Sequence, residues 1–133
     1  MGKKKRKKFD CVITEGLLPS VEVSLWHDRE KLKKRLAERG AEIELHKDCD
    51  GQTFTVDTGE GDIHFVLVEN VEKHDLCYQL GLLAHEATHV ASRHFSSIGE
   101  EEPAEEEWAY AIEAVCSALF DMHLAWREGR SKQ

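Results

Sequence analysis

The chain has 133 residues, of which 41% are hydrophobic and 33% are charged, a composition typical of one globular domain. The formal net charge is −8, and residues 3–8 contribute six positive charges, so the remainder carries −14. A body this acidic argues against a nucleic-acid-binding domain, because contact with phosphates requires basic side chains. No apolar run approaches the roughly 20 residues that a membrane-spanning helix needs.

The basic stretch KKKRKK predicts a disordered tail over residues 1–8, because its like charges repel one another. A solvated tail is the simpler interpretation, and a weak, salt-sensitive contact with nucleic acid is the alternative. Glu15 and Pro19 interrupt the segment that follows, which argues against a secretory signal. Arg6 stands where a myristoylation motif prefers Ser or Thr. These features predict a cytoplasmic protein without membrane contact, in which residues 9–133 form a single domain.

The four cysteines, Cys11, Cys49, Cys77 and Cys116, form no CxxC pair. Their spacing therefore argues against a zinc ribbon or a thioredoxin-like site. In a cytoplasmic chain we expect free thiols. Cys77 and Cys116 fall within helical patterns and are predicted to lie in the core.

The first half of the chain predicts four strands, over residues 21–26, 41–46, 52–58 and 62–70. The last of these contains a longer apolar run, which indicates burial on both faces over part of its length. A helix is predicted between the first two strands. Asp28 is a suitable N-cap, Leu32 and Leu36 share one face, and Gly40 ends the helix.

The second half predicts two helices that cover one face of a small, mostly antiparallel sheet of about four strands. The first helix spans residues 74–98 and ends at Gly99; its inward stripe contains Leu76, Leu80, Leu83, Ala84, Ala87 and Ala91. Pro103 suits the start of the second helix, over residues 104–127. Its inward stripe contains Ala109, Ile112, Cys116, Leu119 and His123. The order of elements predicts an α+β fold.

The stretch HEATH places His85 and His89 one turn apart on the same helix face, where two imidazoles can bind one metal ion. Glu86 lies beside this pair and can reach a water molecule that the metal activates. This is the HExxH arrangement, in which zinc lowers the pKa of the water and the carboxylate accepts its proton. An exposed helix that carries two histidines by chance is the simpler alternative.

A third ligand is needed from elsewhere in the chain. The second helix begins with acidic residues, and Glu105, Glu106, Glu107 and Glu113 are candidates. If the stripe is centred near Ile112 and Cys116, Glu107 points away from it. Periodicity does not decide among the other three.

The stretch LAHEATHVASRHFSSIGEEEPAEEEWAYAIEAV, residues 82–115, resembles the zincin metallopeptidases. In their glutamate-ligand branch, the third ligand begins an ExxA[D/N] element on the next helix. That element aligns with Glu106, Ala109 and Tyr110, and Tyr110 stands where the larger branch has Asp or Asn. The H-E-A-x-H-V, I-G-E-x-x-P and A-Y patterns are similar to those of small metallopeptidases encoded by phages and prophages.

The resemblance implies a minimal zincin-like domain that binds Zn²⁺ through His85, His89 and Glu106. Glu86 would be the general base, and the substrate would be a peptide or protein in the cytoplasm of a bacterial host cell. Two other functions remain as alternatives. One is a non-catalytic zinc-binding protein, such as a phage assembly or interaction factor. The other is a nucleic-acid-associated protein that uses its basic tail.

The remaining histidines are expected to be structural. His94 lies off the face of the metal pair and is predicted to be solvated, whereas His123 lies on an inward stripe and is predicted to be a core residue. His27, His46 and His64 lie on or beside strands. His64 precedes the motif helix on a strand, where zincins hold an extended substrate by edge pairing. The three tryptophans are predicted to pack in the core.

Overall fold

The computed structural model describes residues 12–14, 17, 20–46 and 50–131. The predicted basic tail, Cys11 and Cys49 lie outside these residues. The elements, in chain order, are β1 (Val12–Ile13), β2 (Glu22–Trp26), α1 (Arg29–Glu38), β3 (Gly51–Asp57), β4 (Asp62–Val68), a short 3-10 turn (Val71–Lys73), α2 (Leu76–Ser97) and α3 (Glu105–Ser131).

One four-stranded sheet with the order β1-β2-β4-β3 organises the chain. β2 runs parallel to β4, whereas β1 pairs with β2 and β3 pairs with β4 in the antiparallel sense. The predicted α+β class and the mostly antiparallel sheet are confirmed. β4 lies between two strands and is buried from Ile63 to Val68, as its apolar run predicts.

Alternate residues of β4 point into two separate cores. Phe65 and its neighbours on the same face pack against α1 through Leu32 and Leu36. Val66 belongs to a second core with Leu83 of α2 and other residues of α2 and α3. The structure therefore has α1 on one face of the sheet and the helix pair on the other.

Local capping signals set the helix ends. Asp28 accepts hydrogen bonds from the backbone N–H groups of Glu30 and Lys31 at the start of α1. Gly99 follows α2 with a φ of 78°, a left-handed conformation that favours glycine and ends the helix. α2 and α3 run antiparallel, because Phe95 near the end of α2 contacts Trp108 near the start of α3, and Gln79 near the start of α2 is hydrogen-bonded to His123 near the end of α3. These features confirm the predicted helices.

Two strand predictions need correction. Residues 41–46 form no regular strand, although Ile43 and Leu45 pack against the α1 core. Their alternation therefore reflects a half-buried extended segment, which need not join a backbone ladder. Conversely, the short strand β1 has no alternating pattern long enough to predict it, because its pairing with β2 covers only Val12 and Ile13.

The inward face of α3 also differs from the prediction. Ala109 is exposed, and the buried positions are Ala111, Val115, Ala118, Leu119 and His123. The small side chains of Ala111 and Ala91 share one cluster, which lets α3 approach α2 closely and rotates its stripe away from Ile112 and Cys116.

The cysteine prediction holds only in part. Cys77 and Cys116 are free thiols, as expected, but Cys77 is exposed in the first turn of α2 and Cys116 is half-buried. Leu76 beside Cys77 is also 37% exposed, so this turn extends beyond the core.

Across residues 12–14, 17, 20–46 and 50–131, no helix has the length and apolar character needed to cross a membrane.

Candidate metal centre

His85 and His89 lie side by side on the exposed face of α2. Their Nε2 atoms are 3.3 Å apart, and the two rings meet edge to face. Two nitrogens bound to tetrahedral zinc, each about 2.0–2.1 Å from the ion, lie about 3.3–3.4 Å apart. The spacing and the solvent access of this pair therefore fit two imidazole ligands of one zinc ion.

Glu86 points from the same helix turn toward the sheet. It is 3% exposed, and its Oε1 accepts a hydrogen bond of 2.6 Å from Oγ1 of Thr53 on β3. Gly51 lies so close that a Cβ atom there would be 2.8 Å from Oε2 of Glu86. The carboxylate of Glu86 is thus held between α2 and β3.

β3 is a terminal strand of the described sheet. The backbone groups on its outer edge therefore pair with no other strand of that sheet. Residues 82–86 of α2 lie over this strand, since Leu82 and Glu86 both approach Gly51. The HEATH motif therefore lies beside a sheet edge to which an extended peptide can add.

The four acidic candidates for a third ligand, Glu105, Glu106, Glu107 and Glu113, are all exposed on α3. Within the described part of the chain, no group of three or more His, Cys, Asp or Glu side chains is assembled to hold a metal ion. The structure therefore brings His85 and His89 together without adding one of these glutamates to the pair.

The orientation of α3 explains the position of Glu106. At about 100° per residue, Glu106 lies roughly opposite the stripe formed by Ala111 and Val115. Glu107 accepts a hydrogen bond of 3.1 Å from the backbone N–H of Ala104, so its carboxylate caps the start of α3. The resemblance, and not the helical phase, is the ground for choosing Glu106.

Three of the other histidines, His64, His94 and His123, are buried. His94 is 6% exposed, so the prediction that it is solvated is wrong. It follows Val90 by one turn and faces the sheet with it, because i and i+4 share a helix face. His64 is 2% exposed and shares a hydrogen bond of 2.9 Å with Oγ1 of Thr55. Burial lowers the pKa of both imidazoles, that of His64 to about 4.

His123 is fully buried, which confirms its predicted place in the core. Its Nε2 lies 2.8 Å from Oε1 of Gln79, and its Nδ1 lies 2.9 Å from Nε2 of His27. Gln79 donates through Nε2 to two backbone carbonyls, so its Oε1 is the acceptor and Nε2 of His123 carries the proton. Burial and the nearby guanidinium of Arg127 lower the pKa of His123.

Gly51 and Thr53 are neighbours of the motif that the sequence does not predict. The sequence around Gly51 predicts a turn, but nothing in it relates Gly51 to Glu86, 35 positions later. Thr53 appeared only as one polar position of an alternating strand. Comparison of the chain with protein-family models, curated proteins and solved structures found no match.

Proposed function

We propose that this protein is a zinc-dependent peptidase in which His85 and His89 bind the metal, Glu106 supplies the third ligand and Glu86 is the general base. The main support for this proposal is the geometry of the motif. The Nε2 atoms of the histidine pair have the separation expected for zinc ligands, while Glu86 in the same turn lies against an edge strand. A helix with two histidines by chance would need neither feature.

Zinc, when bound, would polarise the scissile carbonyl and acidify the attacking water. Glu86 would accept a proton from this water as its oxygen bonds to the carbonyl carbon. The carboxylate would then pass the proton to the amide nitrogen as the C–N bond breaks, so that an acid and an amine are released. The hydrogen bond from Thr53 to Oε1 would hold Glu86 in this role, and Oε2 would be the oxygen that exchanges the proton.

The substrate in this proposal is an extended peptide or an exposed protein segment. It would add to the outer edge of β3 through backbone hydrogen bonds, next to Glu86 and the histidine pair. Backbone pairing alone gives little sequence preference, since specificity in strand addition comes from pockets for alternate side chains.

Glu106 is the part of the proposal that requires movement. Glu105, Glu106 and Tyr110 are themselves exposed, but repositioning the first turns of α3 would cost the packing of Trp108 on Phe95. The exposed Glu105 and Glu113 are the reserve candidates. We further propose that the protein acts in the cytoplasm of a bacterial host cell, as its resemblance to the phage-encoded group implies. Any contact with nucleic acid would be weak and made by the basic tail.

The decisive experiment compares wild type with Glu86→Gln on a mixed peptide library, with the zinc content of both measured in parallel. Replacing the base should reduce cleavage by roughly two orders of magnitude or more, because a positioned proton acceptor is lost. The zinc content should change little, because Glu86 is held by β3 and not by the metal. Glu101→Gln, at an exposed position outside the motif, is the matched control.

Equal cleavage by wild type and Glu86→Gln would contradict the proposed base. Zinc binding without cleavage by either protein would favour the alternative of a non-catalytic zinc-binding assembly or interaction factor. Absence of zinc binding by His85 and His89 would contradict both functions.

A further inference from the structure

A cavity lies beside the last turns of α2. Its volume is about 430 Å³, and its walls come from the end of β3, the start of β4, the residues around the start of β2 and the last turns of α2. Small-molecule sites have volumes of about 300–1,000 Å³. The cavity therefore has room for an organic group, and is far larger than a bare metal ion requires.

Three carboxylates line this cavity, those of Glu22, Asp57 and Asp62. Asp57 and Asp62 are directly paired in the β3–β4 ladder, so their side chains project from the same face of the sheet. Each accepts one neutral hydrogen bond, from the backbone N–H of Gly59 and from the hydroxyl of Ser97 respectively. Neither is in an ion pair with Lys or Arg among the described residues. Directly opposed like charges are destabilising unless a cation lies between them.

Two buried imidazoles line the same cavity. His64 uses Nδ1 for its contact with Thr55, and no described residue forms a hydrogen bond with its Nε2 or with the ring nitrogens of His94. These nitrogens are not among the fully enclosed side-chain atoms that lack a partner, so water or a ligand in the cavity can reach them. Because burial lowers both pKa values, both rings are neutral at pH 7. In the tautomer whose Nδ1–H donates to Oγ1 of Thr55, Nε2 of His64 has the free lone pair and can accept a hydrogen bond, and one ring nitrogen of His94 can do the same.

We propose that this cavity binds an organic cation, an alkylammonium or guanidinium group, between the carboxylates of Asp57 and Asp62. His64 and His94 accept hydrogen bonds from its N–H groups. Val21 and Ile98 supply apolar wall for the alkyl stem. A neutral ligand would supply no positive charge between the carboxylates, and Arg93, whose charge acts on His64, forms an ion pair with neither of them.

The cation can come from a free amine or guanidine, or from a Lys or Arg side chain of a peptide. Two-dimensional NMR of the histidine ring nitrogens measures the binding of each kind of ligand to the protein. One arm titrates propylguanidinium and butylammonium. The other compares acetyl-Ala-Arg-Ala-amide with the same peptide containing norleucine. A chelator is present throughout, so the result does not depend on zinc at His85 and His89.

We expect saturable shifts of the His64 and His94 ring signals, with a dissociation constant on the order of 1 mM or lower for the small cations. Asp57→Asn and Asp62→Asn should each weaken binding about tenfold, since charge-assisted hydrogen bonds are lost while the shape is kept. Both variants should also unfold at a higher temperature than wild type without ligand, because the opposed charges are removed. Glu60→Gln, in the exposed β3–β4 turn, is the matched control and should change neither property.

Tighter binding of the arginine peptide than of propylguanidinium would identify a peptide side chain as the source, and equal binding would identify a free cation. Equal shifts with the norleucine peptide, or no saturable shift with any cation, would overturn the proposal. Perturbation of His64 and His94 by zinc but not by organic cations would also overturn it, in favour of a metal site.

Discussion

Oγ1 of Thr53 donates a hydrogen bond of 2.6 Å to Oε1 of Glu86, and this bond joins the edge strand β3 to the motif helix α2. Glu86 is 3% exposed, so water has little access to replace a lost protein partner. Hydrogen bonds to charged groups contribute about 1.5–3 kcal/mol, more than neutral ones. Thr53 therefore affects both the stability of the domain and the position of the proposed base.

Thr53→Val should reduce the free energy of unfolding by about 1–3 kcal/mol, because it leaves a buried carboxylate oxygen without its donor. Thr53→Ser keeps the hydroxyl and should lose less. If the protein cleaves peptides, kcat should fall for the valine variant while the zinc content stays constant. Chemical denaturation of the three proteins measures the effect. Equal stability of the valine and serine variants would show that the hydrogen bond contributes little.

Gly51→Ala should displace the Glu86 carboxylate. The added Cβ would lie 2.8 Å from Oε2 of Glu86 and 3.0 Å from Cδ1 of Leu82, so one of these side chains must move. We expect a loss of about 1–3 kcal/mol in unfolding free energy, the usual cost of overpacking. Gly81→Ala is the control, since a Cβ there meets no atom within 4 Å and alanine favours the helix. A Gly51→Ala protein as stable as wild type would mean that Glu86 moves aside freely.

The pair of motif histidines was predictable because both its residues lie within one helical turn. Helical periodicity places His85 and His89 on one face whatever the rest of the chain does. The neighbours of Glu86 were not predictable, because they depend on where α2 crosses β3. That crossing is set by packing between residues far apart in sequence, such as Leu82 against Gly51.

The same distinction applies to the fold. The helix ends and the three longer strands follow from local signals, among them the cap at Asp28 and the glycine at Gly99. The inward face of α3 does not, because apolar side chains occur on several sides of this helix. Its contact with α2 selects the rotation in which Ala111 and Val115 are buried. An ordering of the α3 glutamates as metal ligands depends on the rotation assumed for this helix. It is wrong wherever that rotation is wrong.

Measurement of zinc binding tests the proposed metal centre at His85 and His89 independently of catalysis. The purified protein should contain about one zinc ion per chain, and His85→Ala and His89→Ala should each abolish binding. Replacement of one ligand leaves too few donors for a stable site. Elemental analysis and zinc titration in competition with a chelator give the stoichiometry and affinity. No zinc uptake at neutral pH, even with zinc supplied, would exclude this centre.

Alanine substitution of each acidic candidate on α3 tests the third ligand. Glu106→Ala should weaken zinc affinity by at least tenfold, whereas Glu107→Ala should lower the unfolding temperature with little effect on zinc. The second expectation follows because Glu107 caps Ala104, and loss of a cap costs about 0.5–2 kcal/mol. A loss of affinity in Glu105→Ala or Glu113→Ala instead would reassign the ligand. A loss confined to Glu107→Ala would contradict the alignment with the zincin pattern.

Stability should fall as the pH is lowered from about 6.5 toward 4, and His64 should be a main cause. Burial lowers its pKa from 6.5 to about 4, an effect reinforced by His94 and Arg93 and opposed by the carboxylate of Asp62. Between these two pH values the unfolded chain binds a proton that the folded chain does not, so acid favours unfolding. The contribution is fully present above pH 6.5 and is lost by about pH 4. It amounts to about 3 kcal/mol, because a pKa difference of one corresponds to about 1.4 kcal/mol.

Denaturant unfolding at several pH values, on wild type and His64→Gln, isolates this contribution. Glutamine can keep a hydrogen bond with Thr55 but does not titrate, so the variant should lose less stability than wild type between pH 6.5 and 4. His94 and His123, whose pKa values burial also lowers, leave a residual slope of the same sign in both proteins. His46→Gln, at an exposed position, is the matched control and should follow the wild-type curve. Parallel curves for wild type and His64→Gln would show that His64 binds a proton as readily in the folded chain as in the unfolded one.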